Sequence, residues 1–125
     1  MTPSRYHETY AAWQADPEAF WREAAKAIDW IEEPRAIFDA QAGLYGHWFP
    51  DALCNTCYNA VDRHADGERG GQAALIHDSP VTGQARTVTY AELKREVATL
   101  AAVLTDMGVA RGDRVIVYMP MIPEA

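Results

Sequence analysis

The sequence contains no apolar run longer than about five residues, such as Val115 to Met119, whereas a membrane span needs about 20. It is poor in basic residues. Eleven stand against eighteen acids, and the formal net charge of −7 repels phosphate backbones and anionic lipid surfaces. No nucleic acid and no membrane is therefore expected as a partner. The opening, MTPSRYHETY, carries neither a basic flank nor an apolar stretch, so no signal peptide is read there and the cytoplasm is the expected compartment. Cysteine is scarce as well, and Cys54 and Cys57 are expected to be reduced thiols there. The phosphate-loop pattern G-x-x-x-x-G-K-[ST] does not occur, nor does any internal repeat or low-complexity segment.

What is present suffices for one modest core. The chain has 125 residues, 49% of them apolar, too few for a large two-lobed protein. Ser4 is placed to cap a short helix carrying Tyr6, Tyr10 and Trp13. Asp16-Pro17-Glu18 repeats the start signal, with a capping side chain, proline at the first helical position and an acid in the first turn. Phe20 or Trp21, Ala24 and Ile28 then fall on one face. Aromatics at this spacing are read as packing contacts in preference to a ligand groove. From Glu32 to Asp51 prolines, glycines and aromatics mix without a period, which predicts an irregular connection anchored by Trp48-Phe49. Asn55 to His64 fits a helix with Cys57 or Tyr58 and Val61 inward. The polar break at Ala65 to Gly71 is the expected domain boundary.

The second half is better specified. Ala73 to His77 and Arg86 to Val88 predict a hairpin across a loop containing Pro80 and Gly83. Thr89 and Glu92 form a capping box, with Val88 and Leu93 as the hydrophobic staple. Leu93, Val97, Leu100 and Leu104 make one apolar stripe, and Gly108 supplies a left-handed stop, so a helix is expected from about Tyr90 to Met107. Arg114 to Met119 reads as a strand covered on both faces. Pro123 and Glu124 open a further helical turn.

Three groups resemble reaction centres. His47, Cys54, Cys57 and His64 give H-x6-C-x2-C-x6-H, nominally a zinc set. Zinc fingers, however, pair their histidines closely, and these lie on opposite sides of the cysteines. A thioredoxin-like redox pair would follow a strand at a helix start within a βαβ unit, and no strand is read before Cys54. Glu68-Arg69-Gly70-Gly71 offers paired glycines beside a cation, but no helix follows it, so a solvated turn is expected. Asp62-Arg63-His64 lacks an activated nucleophile, and three consecutive helical residues point in different directions, so polar contacts are expected of it.

Three blocks together resemble the short-chain AMP-forming acyl-CoA synthetases. They are Ala19-Phe20-Trp21 with Ile28-Asp29-Trp30; Asn55-x-Cys57-Tyr58-Asn59-Ala60-Val61-Asp62-Arg63-His64; and Gly108-Val109-x-x-Gly112-Asp113-Arg114-Val115 continuing to Met119-Pro120-Met121-Ile122-Pro123-Glu124-Ala125. The resemblance implies an α/β fold. It would comprise a helical N-terminal extension over 1–64, followed over 65–125 by the first hairpin, helix and strand of an adenylate-forming domain, truncated. It implies an enzyme that activates propionate, or acetate, with ATP and magnesium to an acyl-adenylate and passes the acyl group to coenzyme A. The family's phosphate loop, magnesium acid, ribose aspartate and mobile-lobe lysine have no counterpart in this sequence. No residue is assigned as catalytic, cofactor-binding or metal-ligating, and the piece alone is expected to be inactive. A non-catalytic interaction module on the same scaffold is the alternative.

Overall fold

The computed structural model describes residues 4–125, and the chain divides into two compact units with the boundary between Asn59 and Ala60. Each unit has a thin core. Among the described residues the buried apolar ones are Ala25 and Ile37 in the first and Val88 in the second.

In the first unit, α1 (Tyr6–Ala15) is followed by α2 (Pro17–Ala25). Arg5, not Ser4, occupies the cap of α1; the Ser4 hydroxyl instead accepts from the Tyr6 N–H at 3.3 Å. Asp16 caps α2 as expected, its Oδ1 accepting from the Ala19 N–H at 2.9 Å, with Pro17 at the first helical position, where a missing N–H costs nothing. Ala24 was expected inward, but Ala25 is the buried residue. The Trp30 indole N–H donates to the Ala25 carbonyl at 2.9 Å, at the end of the helix.

The stretch expected to be irregular contains two small antiparallel ladders. β1 (Trp30–Glu32) pairs with β4 (Leu53–Cys54), and β2 (Phe38–Asp39) pairs with β3 (His47–Trp48). Strands of two or three residues leave no period to read, and these are fixed by what surrounds them. Phe38 and Trp48 face each other with ring centroids 4.6 Å apart, Trp48 meets Trp21 at 5.7 Å, and Phe49 meets Trp30 at 5.4 Å. Asp51 accepts from the Arg35 and Ala36 N–H groups, satisfying backbone that no ladder reaches. Gly46 has φ +71°, and a Cβ there would strike the Phe38 ring. Only glycine meets both demands.

After β4 the chain turns at Asn55, whose Oδ1 accepts from the Tyr58 N–H at 2.9 Å. Residues 56–57 are helical. A π-helical turn, Tyr58–Asp62, then runs into the short helix α3 (Arg63–Ala65).

In the second unit, β5 (Ala73–Ser79) and β6 (Gln84–Thr89) form the expected hairpin, with Leu75 opposite the buried Val88. Gly83, at φ +67°, makes the tight turn, and its N–H donates to the Ser79 carbonyl at 2.8 Å. α4 (Tyr90–Asp106) follows at once. The first three helical N–H groups, orphans in an isolated helix, all find acceptors. Tyr90 donates to the Gln72 carbonyl at 3.1 Å, Ala91 to the Gly70 carbonyl at 3.0 Å, and Glu92 to the Thr89 hydroxyl at 3.3 Å. At the other end Val109 N–H donates to the Leu104 carbonyl and Gly108 N–H to that of Thr105, with Gly108 at φ +91°. That is the Schellman arrangement expected of glycine past a helix.

Arg114 to Met119 departs from expectation. It forms no strand, and its apolar side chains are exposed, Ile116 at 89% and Tyr118 at 99%. A strand's N–H and C=O groups are satisfied only by a neighbour, and no described strand lies beside this one. Residues 123–124 form a turn.

Candidate functional site

The polar side chains of the second unit gather where α3 and the following turn meet α4. Arg69 is their centre. Its guanidinium lies 5.0 Å from the centroid of the Tyr90 ring, donates to the Gln72 side chain at 2.7 Å and to the Tyr90 hydroxyl at 3.3 Å, and sits 3.4 Å from His64 Nδ1. His64 and Tyr90 stack obliquely at 5.2 Å. The solvated turn expected at Glu68 to Gly71 is a turn, but its arginine is engaged. It cannot also act as a free anchor for phosphate.

Beside this group, Lys94 bonds both carboxylate oxygens of Asp66, at 2.7 and 2.6 Å, and reaches Asp62 at 3.7 Å. The Asp66 hydrogen bond is the main reason the ammonium of Lys94 is held above its ordinary value of 10.5. A lysine so raised is a poor nucleophile at neutral pH. Of the trio Asp62-Arg63-His64, Asp62 turns to Lys94 and His64 to Tyr90 and Arg69, so these two go to different partners.

A cleft of about 650 Å³ lies between the hairpin and Pro120 to Glu124. Arg86 stands in its wall, donating to Glu96 at 2.5 Å and Glu124 at 3.2 Å. Two carboxylates around one guanidinium leave little positive charge for an anionic ligand. The first unit has an apolar hollow lined by Tyr6, Tyr10, Trp13, Phe20 and Trp21. Tyr6 and Tyr10 stack with centroids 5.8 Å apart but stay exposed, so the packing role expected of this group is only begun within the described residues.

The nominal zinc set is dispersed. His47 belongs to β3, Cys54 ends β4, Cys57 lies in the first helical turn after Asn55, and His64 belongs to α3. Among the described residues no three His, Cys, Asp or Glu side chains are placed to share a metal ion. Sequence reasoning missed the Arg69 to Tyr90 stack and the clasp in which Asn59 bonds both backbone groups of Asp29, at 2.8 and 3.0 Å. Neither has a sequence signal, since the partners are 21 and 30 residues apart.

The geometry thus defines an α/β scaffold whose polar clusters cap helices and brace turns. Comparison with known proteins supplies the rest. Residues 61–125 match the model for AMP-binding enzymes, and residues 6–60 match that for the acetyl-coenzyme A synthetase N-terminus. The chain belongs to the AMP-binding enzyme family. It is 43% identical over 122 residues to the human mitochondrial acyl-CoA synthetase short-chain family member 3, covering 98% of this chain and 18% of that protein. It is 45% identical over 118 residues to the acetyl-coenzyme A synthetase of Streptomyces avermitilis, covering 94% of this chain and 18% of the relative. The chain therefore spans about a fifth of the length of the curated relatives it matches.

Proposed function

We propose that these residues form the N-terminal part of a short-chain acyl-CoA ligase of the AMP-forming kind, acting on propionate, with acetate the nearest alternative. The observation that carries the reading is the order of the two family matches, the acetyl-coenzyme A synthetase N-terminus running directly into the AMP-binding enzyme model. The division proposed is an extension over 1–64 and the start of the adenylate-forming domain over 65–125. The cytoplasm is the proposed compartment; the mitochondrial location in the human relative's name belongs to that protein.

In the proposed reaction the carboxylate displaces pyrophosphate from ATP, and the thiol of coenzyme A then displaces AMP. Adenylation replaces oxide, a poor leaving group, with AMP, a good one. Magnesium would supply charge stabilisation on the phosphates. No cluster among the described residues fits that ion, so no chemical step is assigned to them. Their part is mechanical. The capped α4 and its hairpin hold the Arg69, Lys94 and Arg86 braces in place.

The test is to express the longest natural polypeptide containing these residues and assay AMP formation with propionate, acetate and longer acids, each with ATP, magnesium and coenzyme A. AMP release fastest with propionate is expected. Faster turnover of acetate would move the assignment to acetate, and no AMP with any short acid would remove the ligase reading.

A further inference from the structure

A thiol redox pair follows a strand at a helix start, and the structure supplies that strand before Cys54, though in a two-stranded antiparallel ladder and not in a βαβ unit. Cys54 is the last residue of β4, paired across the ladder with Trp30, and Asn55 then turns the chain directly into helix. Cys57 lies in the first helical turn, and both cysteines are exposed. The backbone between them is held on both sides. Asn55 accepts from the Tyr58 N–H through its side chain and from the Asn59 N–H through its carbonyl, at 2.9 and 3.1 Å. The Asn59 side chain donates to that same Asn55 carbonyl at 3.0 Å and clasps Asp29 beside β1. The two cysteines therefore lie on the two limbs of one braced strand-to-helix turn, both of them exposed residues.

From this placement we infer that Cys54 and Cys57 form a thiol–disulfide site, whose co-reactant is a low-molecular-weight disulfide of the glutathione class. The thiolate of one cysteine attacks a sulfur of the small disulfide and expels one small thiolate. The thiolate of the other cysteine then attacks the protein sulfur of that mixed disulfide, forming the Cys54–Cys57 bond and expelling the second small thiolate. Two protein thiols are oxidised, one small disulfide is reduced to two thiols, and the departing thiolates take up the two protons. This site does not depend on the ligase reading, and its test needs no enzyme activity.

The full chain, purified reduced, is equilibrated with oxidised and reduced glutathione, quenched with acid and digested with trypsin. Both cysteines fall in the peptide between Arg35 and Arg63. The expected product is that peptide lighter by two hydrogens and resistant to alkylation, formed faster from the folded chain than from the same chain in guanidinium. Cys54→Ser and Cys57→Ser variants should each stop at one glutathione adduct. A wild-type chain that stops at two adducts, that links to a second copy, or that closes no faster when folded overturns the inference.

Discussion

Helix α4 and the segment from Arg114 to Met119 are both rich in apolar residues, yet only the helix takes the form its sequence announces. The helix bonds to itself. Its capping box and its Gly108 stop satisfy its ends within a few residues, and the carbonyls of Gly70 and Gln72, on the far side of the hairpin, take its first two N–H groups. Arg114 to Met119 has an equally clear pattern, but every hydrogen bond of a strand must come from elsewhere. Local structure follows local signals, and a buried strand is a statement about its neighbours.

The sharpest way to break this contrast is hydrogen exchange on the described chain. Amides of the middle turns of α4 should be protected, and those of Val115, Ile116 and Val117 should exchange close to the rate of an unstructured peptide. Equal protection in both segments would show that a partner is already present. The exposed side chains extend the same prediction. Each large apolar group left in water forfeits about 1.5–3 kcal/mol, so residues 1–125 should be marginally stable or self-associate in sedimentation. Replacing Val115, Val117 and Met119 together by Lys should return a monomer.

The next largest effect is expected at Gly46. Gly46→Ala meets both a positive φ and the Phe38 ring, at a cost of about 2–4 kcal/mol from left-handed strain and overpacking. Urea unfolding followed by tryptophan fluorescence reads it in the aromatic first unit. Val88→Ala removes the buried side chain of the second unit and should cost about 2 kcal/mol. Thr89→Ala removes the cap and should cost about 1 kcal/mol, with Thr89→Ser close to wild type. If Thr89→Ala cost nothing, the tertiary braces rather than the capping box would set the start of α4.

The smallest effect is a pH dependence. Hydrogen bonds from the Thr89 backbone N–H and then its hydroxyl hold the Glu92 carboxyl below its ordinary value of 4.5. A lowered folded pKa stabilises above the unfolded value and is lost as pH falls through the folded one. The contribution should thus be intact above about pH 4.5 and fade below it. Melting temperature against pH checks this, since Glu92→Gln should flatten the curve in that range alone.

The same contrast accounts for what could be read in advance. Asp16-Pro17, the hairpin around Gly83, Thr89 with Glu92, and Gly108 are signals confined to a few residues, and each appears in the structure in its expected role. The two ladders of the first unit were not legible, because two-residue strands have no period and are held by Trp21, Phe38, Trp48 and Phe49 meeting across the sequence. The polar braces were visible only as residue types. Arg69 was expected to be solvated because nothing in the sequence places Tyr90 beneath it. The strand at Arg114 to Met119 failed in the opposite sense, its pattern being clear and its partner missing among the described strands.

The Asn59 clasp gives a single amide an unusual office. A carboxamide has the same donor and acceptor as a peptide unit, and Asn59 presents both to Asp29, as a neighbouring strand would. One side chain thereby impersonates a piece of backbone and fastens shut a circuit of thirty residues. Aspartate would keep the acceptor and lose the donor, while glutamine would overreach by a methylene. The circuit's integrity is thus entrusted to one functional group, and editing it should unfasten β1 from the turn that carries the thiols without touching either.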